Sequence, residues 1–482
     1  MGSSKMFFKK ILPIIAILTV FFSFSIGFPG QAASQENIKI YIGGEEKLFD
    51  VSPQVFNGST FLPMRGIFES LGAQVSWDDA QKRVTAVRKA VKISLKVGET
   101  SATVNGKSVK LDKAPLVYKG TTMVPVRFVS EALGETVEWD QNARSVYIGG
   151  RPYISSETKQ VKVNGKTFSL NIVRVDLNNK KIGMKIVLAK DALGFTESLK
   201  DMAKRNHALA AINGTYFNAY EDLKEPTGNI MVDHRVVHLG NYGTTFGFTD
   251  DNQVRFDVVK FMINGITNKD GRDIEWEPYA INRTPPANLS TIVLYTPDRG
   301  SETRFNSGIS VVVENGVITK HLNGNVVIPK NGFVVNLSGT ETRYLDRFPI
   351  GGKASFSPAF EPSGTDVSFW QKAAGALGVG PRLITDGKIT VDPISEGFSS
   401  EKILSYSMAR SAIGVTANNM LLMVTVNRAT IRELASIMHS LGAYNAMNLD
   451  GGASSGLYYG GRYLTAPGRD LSNALIIYKK ND

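Results

Sequence analysis

An internal repeat constrains this chain more than any other feature. The segment FNGSTFLPMRGIFESLGAQVSWDDAQKRV, Phe56 to Val84, returns as YKGTTMVPVRFVSEALGETVEWDQNARSV, Tyr118 to Val146, at a constant offset of 62 residues. Gly58 pairs with Gly120, Pro63 with Pro125, Arg65 with Arg127, Glu69 with Glu131, Gly72 with Gly134 and Trp77 with Trp139. Chance does not produce that many matches without a gap. In each copy a Gly-containing turn leads to a short strand, and the proline then sits at a helix start, where it is tolerated. Arg65 to Glu69 and Arg127 to Glu131 are i,i+4 pairs on one helical face. Gly72 and Gly134 end those helices as left-handed caps. The V-x-W-D runs alternate as strands ending in an Asp turn. Between the copies, Val91 to Leu111 reads as a hairpin turning at Asn105-Gly106. Trp77 and Trp139 recur at one position of the unit and so read as core packing, with sugar platforms as the competing reading.

This pattern resembles the copper amine oxidase N-terminal domain, a stalk-type module, over about Ile38 to Gly150. The resemblance implies a spacer or wall-targeting role for residues 34–150. No His, Cys or Met cluster here could hold copper.

Ahead of the repeat lies an export signal over residues 1–33. Lys5, Lys9 and Lys10 supply positive charge, Ile11 to Phe28 is almost wholly apolar, and Gly30, Ala32, Ala33 and Ser34 offer the small residues of a cleavage site. Roughly 18 apolar residues also approach a bilayer span, so retention as an anchor stays open. The expected location is secreted or wall-associated. The chain has no cysteine. Stability must then come from burial and hydrogen bonds without disulfides, and cysteine nucleophiles and thiolate metal sites are excluded. The formal charge is +11, three of it in the leader. That excess suits an anionic glycan or sugar-phosphate polymer, or serves solubility alone. No Lys/Arg cluster is interleaved with aromatics, which argues against nucleic acid. Oligomeric state is not legible.

From Arg151 onward, β-rich runs broken by Gly turns predict a larger, sheet-rich α+β domain over residues 151–482. Strands are expected at Val161 to Val175, Ile182 to Ala189, Ile230 to Leu239 and Leu421 to Val426. Helices are expected at Phe195 to Arg205, Asp366 to Ala374 and Thr430 to Leu441. The fold class is thus α+β throughout, a small duplicated β-α-β unit followed by this catalytic-type domain.

Four polar constellations lie at the ends of apolar strands, where a scaffold presents side chains. Asn213-Gly214-Thr215-Tyr216-Phe217 follows an apolar strand, which would place Asn213 and Thr215 at an exposed edge. Gly378-Val379-Gly380-Pro381-Arg382-Leu383 brings a flexible approach to a fixed arginine. Ala409-Arg410-Ser411-Ala412-Ile413-Gly414 offers a guanidinium fork and a hydroxyl to phosphate oxygens. In Asn448-Leu449-Asp450-Gly451-Gly452-Ala453-Ser454-Ser455, a short strand delivers Asn448 and Asp450 to one face. Two glycines there let a substrate approach the backbone, and Ser454 adds a hydroxyl. Taken singly, each of these also reads as an ordinary turn or a structural pairing.

Jointly and in this order, the four motifs resemble the phosphodiester glycosidase family, over about Asn206 to Tyr478. The resemblance implies hydrolysis of the glycosidic bond of sugar-1-phosphodiesters in cell-wall or exopolysaccharide material. Asn427-Arg428 stands where many relatives carry Asp-Gly-Arg, which keeps a non-catalytic glycan-binding or matrix-assembly protein as the alternative. An oxocarbenium-like transition state asks for a carboxylate near the anomeric carbon and cations around the phosphate. Asp450 is the candidate carboxylate, with Glu225 as the second. Arg410 is the expected phosphate clamp, then Arg382. Asn213, Thr215, Ser411, Asn448, Gly451, Gly452 and Ser454 complete the expected substrate-binding set. Retention and inversion are both open. The five histidines show no zinc-ligand spacing, so no catalytic metal is expected, and Asp-rich turns could hold Ca²⁺ as a structural ion.

Overall fold

The computed structural model describes residues 38–141, 144–286, 288–364 and 366–480, so the segment expected to be an export signal lies outside the described residues. The chain divides into two units between Gly150 and Arg151.

In the first unit the strand Lys39–Ile42 pairs in parallel with Ser145–Ile148, joining the unit's two ends in one sheet. The first repeat copy folds as Ser59–Pro63, helix Met64–Ser70 and strand Gln74–Asp78. The second folds as Thr121–Pro125, helix Val126–Ala132 and strand Val137–Asp140. Each proline closes its strand and caps the helix, and Gly72 and Gly134 stop the helices at φ of +76° and +82°. Leu62, Ile67, Phe68, Val84, Val124 and Val129 pack into one core. The expected core packing of the tryptophans holds in part for Trp77, which packs against that core, and fails for Trp139, which is 42% exposed. Both stand on edge strands, where one flanking neighbour is missing.

The second unit is built around a seven-stranded antiparallel sheet. Its spatial order is Ile154–Val163, Lys166–Asp176, Met420–Ala429, Met408–Thr416, Ala443–Asn448, Arg382–Thr385 and Lys388–Ile389. Two expected strands break into hairpins. Val161 to Val175 divides at Asn164-Gly165, with φ of +49° and +77°, the asparagine–glycine turn that suits a two-residue connection. Ile230 to Leu239 divides at Asp233-His234, residues that enter the left-handed region more readily than most. The helix expected from Phe195 begins at Leu199, where Ser198 accepts from the Asp201 amide at 3.1 Å. Helix Ile431–Ser440 starts on a complete capping box between Thr430 and Glu433.

Each face of the seven-stranded sheet carries its own core. On one, Ile413, Met423 and Met447 meet Ile186, Ile212 and Leu475 of a five-stranded sheet and Phe246 and Leu377 of another. On the other, helix Ile431–Ser440 buries Leu434, Ile437 and Met438 against Leu170, Val424 and Ala446. Strand Ala443–Asn448 pairs with Met408–Thr416, with Asn448 opposite Ala412. This register brings the residues before Ala412 beside the loop that follows Asn448.

Candidate active site

The loop after Asn448 is held at both ends by one buried side chain. Asn213 donates from Nδ2 to the Asp450 carbonyl at 2.7 Å, and its Oδ1 accepts the Gly456 N–H at 3.0 Å. The Asp450 N–H donates to the Gly214 carbonyl and the Leu449 N–H to the Ser411 carbonyl. Asn213 is 1% exposed, and no exposed turn forms here. A Cβ on Gly214 would lie 1.9 Å from Asn473 Oδ1, so this glycine lets the buried amide of Asn473 pass close to the chain. Asn473 Oδ1 accepts the Thr215 N–H at 2.9 Å, and the Thr215 hydroxyl donates to the Gly378 carbonyl at 2.7 Å. Asn213 and Thr215 therefore position the loop rather than present themselves to a substrate.

Beside the loop lies a polar cluster. Asn448 donates from Nδ2 to the Tyr216 hydroxyl at 2.7 Å and to the Gly380 carbonyl at 3.0 Å, which also accepts the Tyr216 hydroxyl proton at 2.9 Å. Tyr216 and Tyr242 both pack edgewise or tilted against Phe398. Burial raises the Tyr216 phenol well above its usual range, and the negative charge of Asp450 adds to that rise while Arg410 opposes it. Asp450, Arg410 and Tyr216 thus surround one spot. A Cβ on Gly451 would sit 3.7 Å from Arg410 Nη1 and 2.9 Å from the Ala409 carbonyl. Gly452 adopts φ of +61° with Met408 Cε close against it. The two glycines serve close backbone packing here, and the expected role of admitting substrate gives way to that.

Asp450 carries the unusual electrostatics. The residue is half-buried, and its carboxyl is pushed up to about 6, chiefly by desolvation. The Ser454 hydroxyl, the Gly451 N–H at 2.8 Å and the positive field of Arg469 pull the other way without overcoming it. Such a carboxyl exchanges its proton near neutral pH, as acid–base chemistry requires.

The cation expected at the phosphate is differently placed. Arg410 is 1% exposed, with Nε donating to Ala429 and Nη2 to the carbonyls of Lys402 and Tyr406. It is a strut of the site wall with most of its donors spent. Arg469, which has no place in any of the four motifs, lies near enough to act on Asp450 and donates to the Tyr220 hydroxyl at 3.2 Å. Tyr220 is 86% exposed, so this pair forms an open rim. Ser411 alternates with Arg410 along the strand and faces the opposite side, so the two do not act as one fork. Its hydroxyl is buried without a partner among the described residues.

Two further expectations are corrected. Glu225 does not join the Asp450 cluster in any contact; its Oε1 takes the Arg299 guanidinium, the Thr284 N–H at 3.0 Å and the Thr284 hydroxyl at 2.7 Å. With Arg299 fully buried, this is an internal ion pair. Arg382 lies opposite Met447 in the register, on the face opposite that of Asn448, and its side chain lines a separate groove. His238, four residues from His234, is fully buried and held near 4 by desolvation, with Nδ1 at 2.7 Å from the Gly228 carbonyl. Among the described residues no group of three or more His, Cys, Asp or Glu could hold a metal ion.

By architecture the second unit is a mostly antiparallel sheet domain with an anchored Asp-Gly-Gly-x-Ser loop, and it follows a repeat-built unit in the chain. The sequence makes the assignment narrower. Residues 41–148 match the copper amine oxidase N-terminal domain and residues 307–478 match the phosphodiester glycosidase family. Each match covers less than half of the chain, the first lying within the first unit and the second within the second unit. No curated protein matches the sequence significantly. The fold is shared with a hypothetical protein from Synechocystis, with a TM-score of 0.59 at 17% identity, covering 92% of this chain and 99% of that one. It is also shared with a putative exported protein from Burkholderia pseudomallei, with a TM-score of 0.54 at 21% identity, covering 65% and 74% respectively.

Proposed function

We propose that the second unit hydrolyses the glycosidic bond of sugar-1-phosphodiesters borne by anionic extracellular glycans. Water adds to the anomeric carbon, the bond from that carbon to the phosphate oxygen breaks, and free sugar and a phosphomonoester leave. The phosphate is already a tolerable leaving group, so a carboxylate at the anomeric centre matters more than an added acid. Asp450 in its ionised form fills that place, as base or nucleophile. The observation that carries the reading is the desolvated Asp450 carboxyl, poised near pH 6 on a loop fixed at both ends by Asn213. Arg469, assisted by the Tyr220 rim, is the cation assigned to the growing charge on phosphate.

The test is release of sugar from the methyl diester of N-acetylglucosamine-1-phosphate by the purified protein. Asp450→Asn lowers kcat by about 10²-fold or more, the usual scale for acid–base or electrostatic catalysis. Arg469→Ala raises KM for the diester more than Arg410→Lys does. Polymer binding without any sugar release by the wild type would replace hydrolysis with the glycan-binding alternative.

A further inference from the structure

Away from Asp450, the second unit has an open groove of about 1510 Å³, lined by Arg382, Asp386, Tyr444, Asn445, Thr416 and Lys480 among others. Asn445 is five residues before Asp450, so this stretch of the groove lies about 16 Å along the chain from it at roughly 3.3 Å per strand residue. The volume exceeds the roughly 300–1,000 Å³ that accommodates a compact small molecule. An extended ligand fits it better.

The lining mixes cations with carboxylates, and much of its polar surface is already paired. Asp257 accepts from the Ser363 hydroxyl and the Gly364 N–H. Asn252 donates to the carbonyls of Leu177 and Ile182, and Asn445 accepts the Asp386 N–H. Arg382 differs. Its backbone N–H reaches Glu396 at 2.7 Å, but its guanidinium finds no acceptor among the described residues, and Nε and Nη2 are buried without partners. Glu396, Asp257 and Asp386 act on it only at a distance. A guanidinium that has lost water and gained no acceptor is costly unless something else supplies the oxygen. At the rim, Tyr444 is 42% exposed, and its backbone carbonyl accepts the Gly387 N–H at 2.7 Å, which ties this stretch of strand to the neighbouring turn.

We propose that this groove binds a segment of acidic polysaccharide, one carboxylate or phosphate seated on Arg382 and a sugar ring laid against Tyr444. The site is separate from the Asp450 recess and holds polymer whether or not the diester is cleaved.

The probes are oligomers of galacturonate and of glycerol phosphate, with neutral dextran as control, titrated calorimetrically into the full chain. The titrations are repeated in the Asp450→Asn background, so that hydrolysis and binding are read apart. The wild type binds at least one acidic oligomer and not dextran, and whichever oligomer wins identifies the anion. Asp450→Asn binds it equally well. Arg382→Met weakens binding at least tenfold without lowering Tm, because an unpaired buried cation is removed. Tyr444→Ala, a change at an exposed position, weakens it severalfold. The proposal is overturned if the wild type binds no acidic oligomer, if dextran binds as well, if Asp450→Asn abolishes binding, or if both groove variants bind like wild type.

Discussion

In the proposed mechanism, Asp450 couples reactivity to a stability cost. Its carboxyl titrates near 6 in the folded chain, against an ordinary value of 3.8. The folded state therefore holds this proton more tightly than the unfolded one. Stability falls as pH rises from about 4 to 6 and stays at the lower level above that. Removing the charge reverses the loss, so Asp450→Asn is more stable than wild type by about 3 kcal/mol at pH 7.5 and not at pH 4. Thermal melts at the two pH values check this, and equal gains at both would contradict the assignment of the cost to the ionised carboxyl. Because the proposed mechanism uses the ionised form, kcat/KM is expected to fall about tenfold per pH unit below 6 and to be flat above. The loop that carries Asp450 was legible in the sequence, since a strand delivering an acid into a run of small residues is a recognisable plan. Arg469 was not, because its nearness to Asp450 arises from the packing of a loop that carries no local pattern.

At the level of elements, the Asp450 loop depends on Asn213, whose amide closes it at Asp450 and Gly456. Asn213→Ala leaves a buried carbonyl and a buried N–H unpaired and destabilises the chain by about 2–4 kcal/mol in denaturant titration. It also lowers kcat, because the carboxylate is no longer held in place. Thr430→Ala removes the capping box of helix Ile431–Ser440 and costs about 1 kcal/mol in the same measurement. That helix was readable from its apolar spacing and its cap. The hairpin at Asn164-Gly165 is marked by its Asn-Gly pair, although period-two alternation runs up to it on both sides, whereas Asp233-His234 has no glycine to mark its turn. The Asn213-Gly214 pair misled in the opposite sense. It looks like a surface turn, yet Gly214 is there for the amide of Asn473, a residue more than 250 positions away.

Over the whole molecule, the repeat made the first unit readable in outline, whereas the second unit's site is assembled from segments that meet only in three dimensions. The two units have separate cores, residues 38–148 supplying one and residues beyond 153 the others. Leu62→Ala, wholly buried in the first core, costs about 2–5 kcal/mol there and leaves kcat for diester hydrolysis within twofold of wild type. The sharpest single measurement is hydrolysis of the sugar-1-phosphodiester in ¹⁸O-labelled water, followed by mass spectrometry of both products. Attack at the anomeric carbon puts the heavy oxygen in the sugar and leaves the phosphomonoester unlabelled. Label in the phosphate instead would mean that the phosphorus–oxygen bond breaks, and Asp450 would then have no anomeric carbon to serve.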